Sequence, residues 1–276
     1  VLTWSKGHFK KYGDQIMLLY NIKNVFLLLS ALPALFFVSF VTVADTNPDA
    51  YRLVSASLEL MRGQSSYVEM EMHIRRADWQ RTSSLVAWSR GDKDSLVRFV
   101  APAKDAGNAT LKKGSKMWTY TPKLNRIIRL PYSMMSQSWA GSDFSYDDMS
   151  RSDRLLEYYD LAVISIEEQD GFKFYTIEAV PRDGSPIVWG KEEIIMREDF
   201  VLVSQTYFDQ DLEPLKKMVT MDISDLGGRI FSTKMRMYNL ETPDQYTEVS
   251  YLDANWDIEI NDGFFTTFTL QSGRRP

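Results

Sequence analysis

The sequence has 276 residues, of which 44% are hydrophobic and 25% are charged, and its net charge is -5. These values are typical of a globular protein with a substantial core, and the negative charge argues against nucleic acid or an anionic membrane surface as the main partner. Because the sequence contains no cysteine, it excludes a disulfide scaffold, a thiolate metal site, a thiol nucleophile and a lipidated N-terminal cysteine.

The N-terminal segment has the pattern of a secretory signal. An apolar run lies between Lys23 and Asp45 and ends in small residues. A basic region, an apolar stretch and a small-x-small end predict a signal peptide. The run is also long enough for an uncleaved inner-membrane anchor, an alternative that Pro33 disfavours. We expect residues 1–44 to be an upstream extension plus a signal peptide outside the fold, and residues 45–276 to form a single domain.

A helix is predicted over 48–61. Apolar residues at three- and four-residue spacing give this segment one apolar face. Asn47 and Pro48 supply a capping side chain and a proline for the first turn, and Gly63 supplies a C-terminal stop. A helix of this length is not stable alone, so we expect it to pack against a sheet.

From Tyr67 the hydrophobic period changes to two, which predicts strands at the spacing of an antiparallel meander. About a dozen strands in one sheet must curl, split or close. We therefore predict a mainly β protein with a single, strongly curved antiparallel sheet, an unclosed half-barrel with helices covering its concave face. A further helix is predicted over 146–159, and the C-terminal NDGFFTTFTL is a last strand or an aromatic plug. The predicted strands are 67–75, 81–88, 95–100, 109–112, 116–121, 126–130, 161–168, 172–180, 191–197, 201–209, 215–224, 230–239 and 245–254.

No pattern in the sequence predicts an enzyme. Of its two histidines, one lies outside the expected fold and the other, His73, lies on the polar face of a strand, which leaves no Ser/His/Asp or metal–histidine constellation. Asp143, Asp147 and Asp148 could form a metal or general acid/base site of a hydrolase, but Ser145 followed by Asp148 favours the capped N-terminus of a helix. We expect no catalytic residues, no metal and no cofactor.

An irregular segment after the strand at 126–130 is rich in methionine and aromatic residues. Apolar residues in such a segment need a reason to be buried, and methionine suits surfaces that repack around variable apolar partners. Two interpretations stay open: the segment is a flap that lines a ligand cavity, or it plugs the core. The candidate lining residues, two of which lie on the strand at 116–121, are Trp118, Tyr120, Met134, Met135, Trp139 and Phe144.

Three motifs together resemble a known family. They are RFVAPAKDAGNATL at 98–111, MWTYTPKLNRIIRL at 117–130 and SWAGSDFSYDDM at 138–149. In this order they resemble the outer-membrane lipoprotein-sorting proteins of the LolA-like superfamily, and more narrowly the branch associated with RND/MMPL-type exporters. The sequence departs from many relatives of this branch at Trp139 and Ala140, where they carry Phe-Met.

The resemblance implies an unclosed β-barrel with an apolar cavity that takes acyl chains in the periplasm. It implies a carrier without catalytic activity that binds lipids or lipoproteins and delivers them towards the outer membrane with an RND/MMPL-type inner-membrane transporter. The alternative is a sensor or interaction module of the same fold, whose sheet edge binds a protein partner. Basic residues near one edge, Lys123, Arg126 and Arg129, fit a surface for an acidic partner or an edge strand that protects itself from aggregation.

Overall fold

The computed structural model describes residues 48–150, 154–242 and 244–276. The predicted signal segment, 1–44, therefore lies outside the described residues. The described strands form a single antiparallel sheet of thirteen strands. The strands are β1 (Ser65–Arg75), β2 (Gln80–Arg90), β3 (Asp94–Ala101), β4 (Ala109–Lys113), β5 (Lys116–Thr121), β6 (Arg126–Arg129), β7 (Tyr159–Gln169), β8 (Phe172–Pro181), β9 (Lys191–Arg197), β10 (Leu202–Phe208), β11 (Pro214–Leu226), β12 (Arg229–Asn239) and β13 (Tyr246–Trp256). The helices are α1 (Ala50–Arg62), α2 (Tyr146–Ser150), α3 (Arg154–Tyr158) and α4 (Thr267–Ser272).

Two meanders build this sheet. Strands β1 to β6 succeed one another across one half and β7 to β13 across the other, and β1 pairs with β13 where the halves meet. The first meander therefore ends at one edge of the sheet, while the second begins at the opposite edge. The sheet does not close, as predicted, because β6 and β7 lie at its two edges and do not pair with each other. Between β6 and β7 the chain has to pass from one edge to the other.

The strand predictions are confirmed, and the helix predictions need correction at their ends. α1 begins at Ala50, because the Asp49 carboxylate accepts the N–H groups of Tyr51 and Arg52. The prediction of Pro48 as the first helical residue is therefore wrong, and Asn47 lies outside the described residues. It ends as predicted at Gly63, whose φ of 63° suits a residue without a Cβ. The region predicted as one helix over 146–159 contains α2 and α3. Residues 151–153, which lie between these two helices in the sequence, are outside the described residues. Among the described helices, none combines the length and apolar character that a membrane span requires.

α1 covers one face of the second meander, here called the inner face. Its helical spacing places Ala50, Leu53 and Val54 on one side, and these side chains pack on apolar residues that alternate along the strands. Full burial of each large apolar side chain contributes about 1.5 to 3 kcal/mol, so the packing of α1 on these strands is a main source of the stability of the fold. The strand residues in this cluster are Tyr159, Ile177, Ala179, Ile194 and Met196.

The C-terminal segment covers the opposite, outer face of the first meander. Phe264 and Phe265 pack with Trp88, whose ring centroid lies 5.4 Å from that of Phe264. The predicted aromatic plug is therefore confirmed, and the alternative of a last strand is wrong, because the chain forms α4 there. Arg98 caps the C-terminal end of α4, because its guanidinium donates to the backbone oxygens of Thr269 and Leu270 at 2.9 and 3.2 Å. Burial lowers the pKa of this guanidinium.

Candidate functional site

The flap, Pro131–Phe144, directly follows the edge strand β6 and lies over the inner face of the first meander. Near its end the chain makes a tight reversal: the Trp139 N–H donates to the Phe144 oxygen at 2.7 Å, and Ala140 and Gly141 have φ values of 53° and 75°. This reversal turns Trp139 inward, where its side chain is 5% exposed. Its ring lies 5.5 Å from that of Phe99 and its Nε1 donates to the Thr110 hydroxyl at 3.1 Å.

Polar contacts attach the flap to the rim of the sheet. Arg76, just after β1, donates to the Asp143 carboxylate at 3.1 Å and to the Gly141 oxygen at 3.1 Å. The Thr247 hydroxyl accepts the Asp143 N–H at 2.9 Å and donates to its carboxylate at 2.6 Å. Arg81 donates to the Ala140 oxygen. Because Arg76 and Asp143 are only 16% and 13% exposed, this latch is partly withdrawn from water.

The acidic cluster that follows is engaged in structural contacts. Asp148 accepts the Ser145 N–H at 2.7 Å while its own N–H donates to the Ser145 hydroxyl at 3.1 Å, which is the predicted capping box. Asp148 also contacts the Lys216 ammonium at 2.5 Å, and Asp147 pairs with Arg154. The sequence could not show these cations, which come from other elements. In the described ranges, no three His, Cys, Asp or Glu side chains are grouped to hold a metal ion.

A hollow of about 270 Å³ lies between the flap and the end of α1, with strands of both meanders beneath it. We call it the trough. Its walls are mostly apolar, and they include five methionines from α1, α2, β1 and β12. The trough is lined by Met61, Arg62, Ser66, Val68, Met70, Met72, Leu85, Ala87, Trp88, Ser89, Ser95, Val97, Trp139, Phe144, Met149, Met235, Val249 and Tyr251.

Tyr251 gives the trough a polar group. This residue lies on β13, and its ring makes an edge contact with Phe231, whose centroid is 5.3 Å away. No described residue hydrogen-bonds to its hydroxyl. Burial raises the pKa of Tyr251 to about 12, because the phenolate would lose its hydration. The phenol is therefore a neutral donor at the wall of a mostly apolar space.

The structure separates the six predicted site residues. Trp139 and Phe144 line the trough. Met135 lies outside it, between two hollows on the other side of the flap, and Met134 is half-buried at the end of a turn of 3-10 helix. The flap therefore contributes Trp139 and Phe144 to the trough and turns its methionines away.

Trp118 and Tyr120 lie on the outer face of the sheet. Thr119, which alternates with them, is opposite Thr110, the residue that bonds Trp139 on the inner face. Successive side chains on a strand point to opposite faces, so Trp118 and Tyr120 do not line the trough. Tyr120 and Trp139 border a separate hollow of about 490 Å³. They pack instead with the C-terminal plug. Neither residue lines the trough with Phe144, and their role as ligand-lining residues stays a prediction.

Sequence reasoning missed the methionines that line the trough. Met70 and Met72 alternate on β1, and that alternation identified them as the buried face of a strand. Nothing local distinguishes a strand residue that faces a hollow from one that faces a packed core. Met61 and Met235 reach the trough from distant parts of the chain, so only the pairing of the two meanders brings them together.

Comparison with known proteins gives a family and a fold. A family model with the description "uncharacterized protein" matches residues 91–272, more than half of the chain. The chain belongs to this family. No curated protein matches it significantly. A crystal structure of a DUF1329 family protein from Desulfovibrio piger is 25% identical, with a TM-score of 0.72, over 80% of this chain and 97% of that one.

Two further crystal structures share the fold of this family member. A domain described as an outer membrane lipoprotein-sorting protein, from Vibrio parahaemolyticus, is 21% identical over 81% of this chain and 100% of its own, with a TM-score of 0.69. A LolA superfamily protein from Nitrosomonas europaea is 20% identical over 79% of this chain and 98% of its own, with a TM-score of 0.66. These likenesses show the fold, which is the predicted open barrel of the LolA-like type. The narrower branch associated with RND/MMPL-type exporters stays a prediction.

Proposed function

We propose that this protein is a periplasmic carrier that binds acyl chains of lipids or lipoproteins and delivers them towards the outer membrane. An RND/MMPL-type inner-membrane transporter is the proposed partner for loading, as the sequence resemblance implies. The observation that carries the proposal is the methionine-rich trough beneath a flap that is latched at the rim. The lipoprotein-sorting description of the similar Vibrio domain supports the same role.

The size of the trough fits reversible binding. Each CH₂ group withdrawn from water contributes about 0.8 kcal/mol, so a carrier that buried a long chain completely would hold it too tightly to release it. The trough measures about 270 Å³, while small-molecule sites span about 300 to 1,000 Å³. A long acyl chain can therefore enter fully only if Trp139 or Phe144 moves aside. Flexible methionine side chains can then fit chains of different shape.

The proposed carrier performs no chemistry on its cargo. Asp143, Asp147 and Asp148, the acids that would serve a hydrolase, each pair with a cation from another element. Such pairs attach the flap and α2 to the sheet. Their engagement supports a structural role for the cluster.

The proposal is tested by filling the trough. Ala87 lies on β2 and lines the trough, whereas Ala162 lies exposed on β7. We expect Ala87→Trp to weaken binding of a fluorescent fatty acid by at least about tenfold, since the added ring occupies the space of the chain. Ala162→Trp is the matched control and should bind as the unmodified protein does. Equal binding by both variants, with unchanged circular dichroism, would exclude the trough as the acyl site.

The cargo is identified by mass spectrometry of organic extracts from protein purified gently from the periplasm. A defined lipid at near-equal molar amount supports the carrier. A second candidate function is the sensor or interaction module, and exposed Ile164 and Ile166 on the edge strand β7 favour it. That candidate predicts an extract without lipid and a stable complex with one protein partner.

A further inference from the structure

A larger hollow, of about 680 Å³, lies where the two edges of the open sheet face each other. One side is formed by the end of β6 and the turn between β4 and β5, and the other side by α3, which leads into β7. We call it the seam pocket. It is distinct from the trough, because the flap lies between them: Met135 borders the seam pocket, while Phe144 borders the trough.

The seam pocket is basic, although the whole chain is acidic. Five cationic side chains line it, against the two acids Asp92 and Glu157. Two of the cations are engaged: Lys112 donates to the backbone oxygen of Asp92, and Arg154 pairs with Asp147. The local excess of positive charge therefore comes from the other three, which are Lys93, Lys116 and Arg129.

These three cations are exposed and available. Within the described residues, no hydrogen bond or ion pair involves the side chains of Lys93, Lys116 or Arg129. Two backbone contacts bring them to one place: the Gly114 N–H donates to the Lys93 oxygen at 2.8 Å, and Arg129 lies opposite Trp118, two residues from Lys116. The pocket thus gathers three cations for which the described residues supply no acidic partner, an arrangement that a bound anion would stabilise.

The floor of the seam pocket is apolar. Met117 and Leu130 are 3% and 8% exposed, and the Leu130 N–H donates to the Met117 oxygen at 2.9 Å, which fixes them next to each other. Met135 of the flap adds a third apolar side chain. A cationic rim above an apolar floor matches a molecule with an anionic head and an apolar body. The volume lies within the range of about 300 to 1,000 Å³ for small-molecule sites.

We propose that the seam pocket binds the phosphate of an anionic lipid headgroup, an inference that rests on the proposed carrier function. Arg129 presents a planar fork that matches phosphate oxygens, and the ammonium groups of Lys93 and Lys116 add point charges. The same cations would otherwise only keep the edge strand from pairing with another chain. That simpler role requires no selectivity for phosphate and no apolar floor beneath the charges.

The test compares two charge-neutralised variants by calorimetry. The site variant is Lys93→Gln with Lys116→Gln and Arg129→Gln. The control is Lys104→Gln with Lys123→Gln and Arg126→Gln, which removes the same charges from exposed positions that do not line the seam pocket. The probes are short-chain phosphatidate, phosphatidylcholine with the same acyl chains, and inorganic phosphate. We expect the unmodified protein and the control to prefer phosphatidate by about tenfold, and the site variant to lose that preference.

The outcomes separate this inference from the carrier function. Equal binding of both lipids by the unmodified protein, or equal effects of the two variants, overturns the seam pocket and leaves the carrier intact. Binding of inorganic phosphate that only the site variant loses, without binding of either lipid, assigns the pocket to free phosphate and overturns the lipid as its source. Absence of all three interactions overturns both proposals. Loss of the preference at raised ionic strength supports the electrostatic origin.

Discussion

The two covers of the inner face are held in different ways. α1 is a regular helix whose apolar side packs directly on the strands of the second meander through Leu53 and Val54. The flap is irregular, buries essentially one large side chain, Trp139, and is attached at the rim by Arg76 and other polar groups. Apolar burial over a whole helix makes a permanent cover. A few polar contacts around one aromatic anchor make a cover that opens at modest free energy.

This difference assigns the two covers different tasks. The trough lies between them, so either could in principle admit a ligand. The flap contributes fewer buried side chains of its own than α1 does, so we expect the flap to be the cover that moves. The flap is also the connection between the edge strands, and the chain has to run across the mouth at this place.

The largest effect is expected from weakening the permanent cover. Leu53→Ala should lower the free energy of unfolding by about 3 kcal/mol, because it leaves a cavity beneath α1. Glu59→Ala, on the exposed side of the same helix, should change it by less than about 0.5 kcal/mol. Denaturant titration followed by circular dichroism measures both. Equal values would show that α1 is as loosely held as the flap.

A smaller and more local effect is expected at the latch. Asp143→Asn leaves the half-buried Arg76 without its charge partner and should destabilise the flap by about 2 kcal/mol. Hydrogen exchange should then accelerate in 131–149 while α1 and the sheet keep their protection. Asp160→Asn, which breaks a more exposed pair with Arg182, is the control. Acceleration spread over the whole sheet would contradict an independent flap.

The last effect concerns the trough itself, and it is absent at neutral pH and confined to alkaline pH. Because the pKa of Tyr251 is raised from 10.0 to about 12, the unfolded chain loses this proton first, and the free energy of unfolding falls as pH rises through that interval. Tyr251→Phe should lack this part of the decline and match the unmodified protein at neutral pH. Tyr132→Phe, at an exposed position, keeps Tyr251 and its decline. An unchanged alkaline slope in Tyr251→Phe would mean that water fills the trough.

The sequence was sufficient to predict the strands because each carries its own alternation. β5 and β9 even have the predicted ends. The start of α1 was misplaced, since Asn47, Pro48 and Asp49 offer competing caps within one turn. α4 was missed for a related reason: its stability depends on Phe265 and Leu270 packing on the outer face, and no local pattern of NDGFFTTFTL shows this packing.

The site was predicted less well than the fold. Trp139 and Phe144 were found because an irregular segment has no other reason to be apolar. Trp118 and Tyr120 are close to these residues in sequence, but they lie on the other face of the sheet. The sequence does not show which face of a strand the flap and α1 will cover. Nothing in the sequence indicates a role for Lys93, since only the folded sheet places it in the same pocket as Arg129.

The pairing of β1 with β13 has a consequence for biosynthesis. These strands come from opposite ends of the domain, and their ladder extends from Ser66 opposite Trp256 to Arg75 opposite Tyr246. No part of that ladder can form before the last strand has been synthesised. Until then the edge of β1 that β13 will cover stays open to other chains. Loss of β13, which pairs with both β1 and β12, would separate the two meanders.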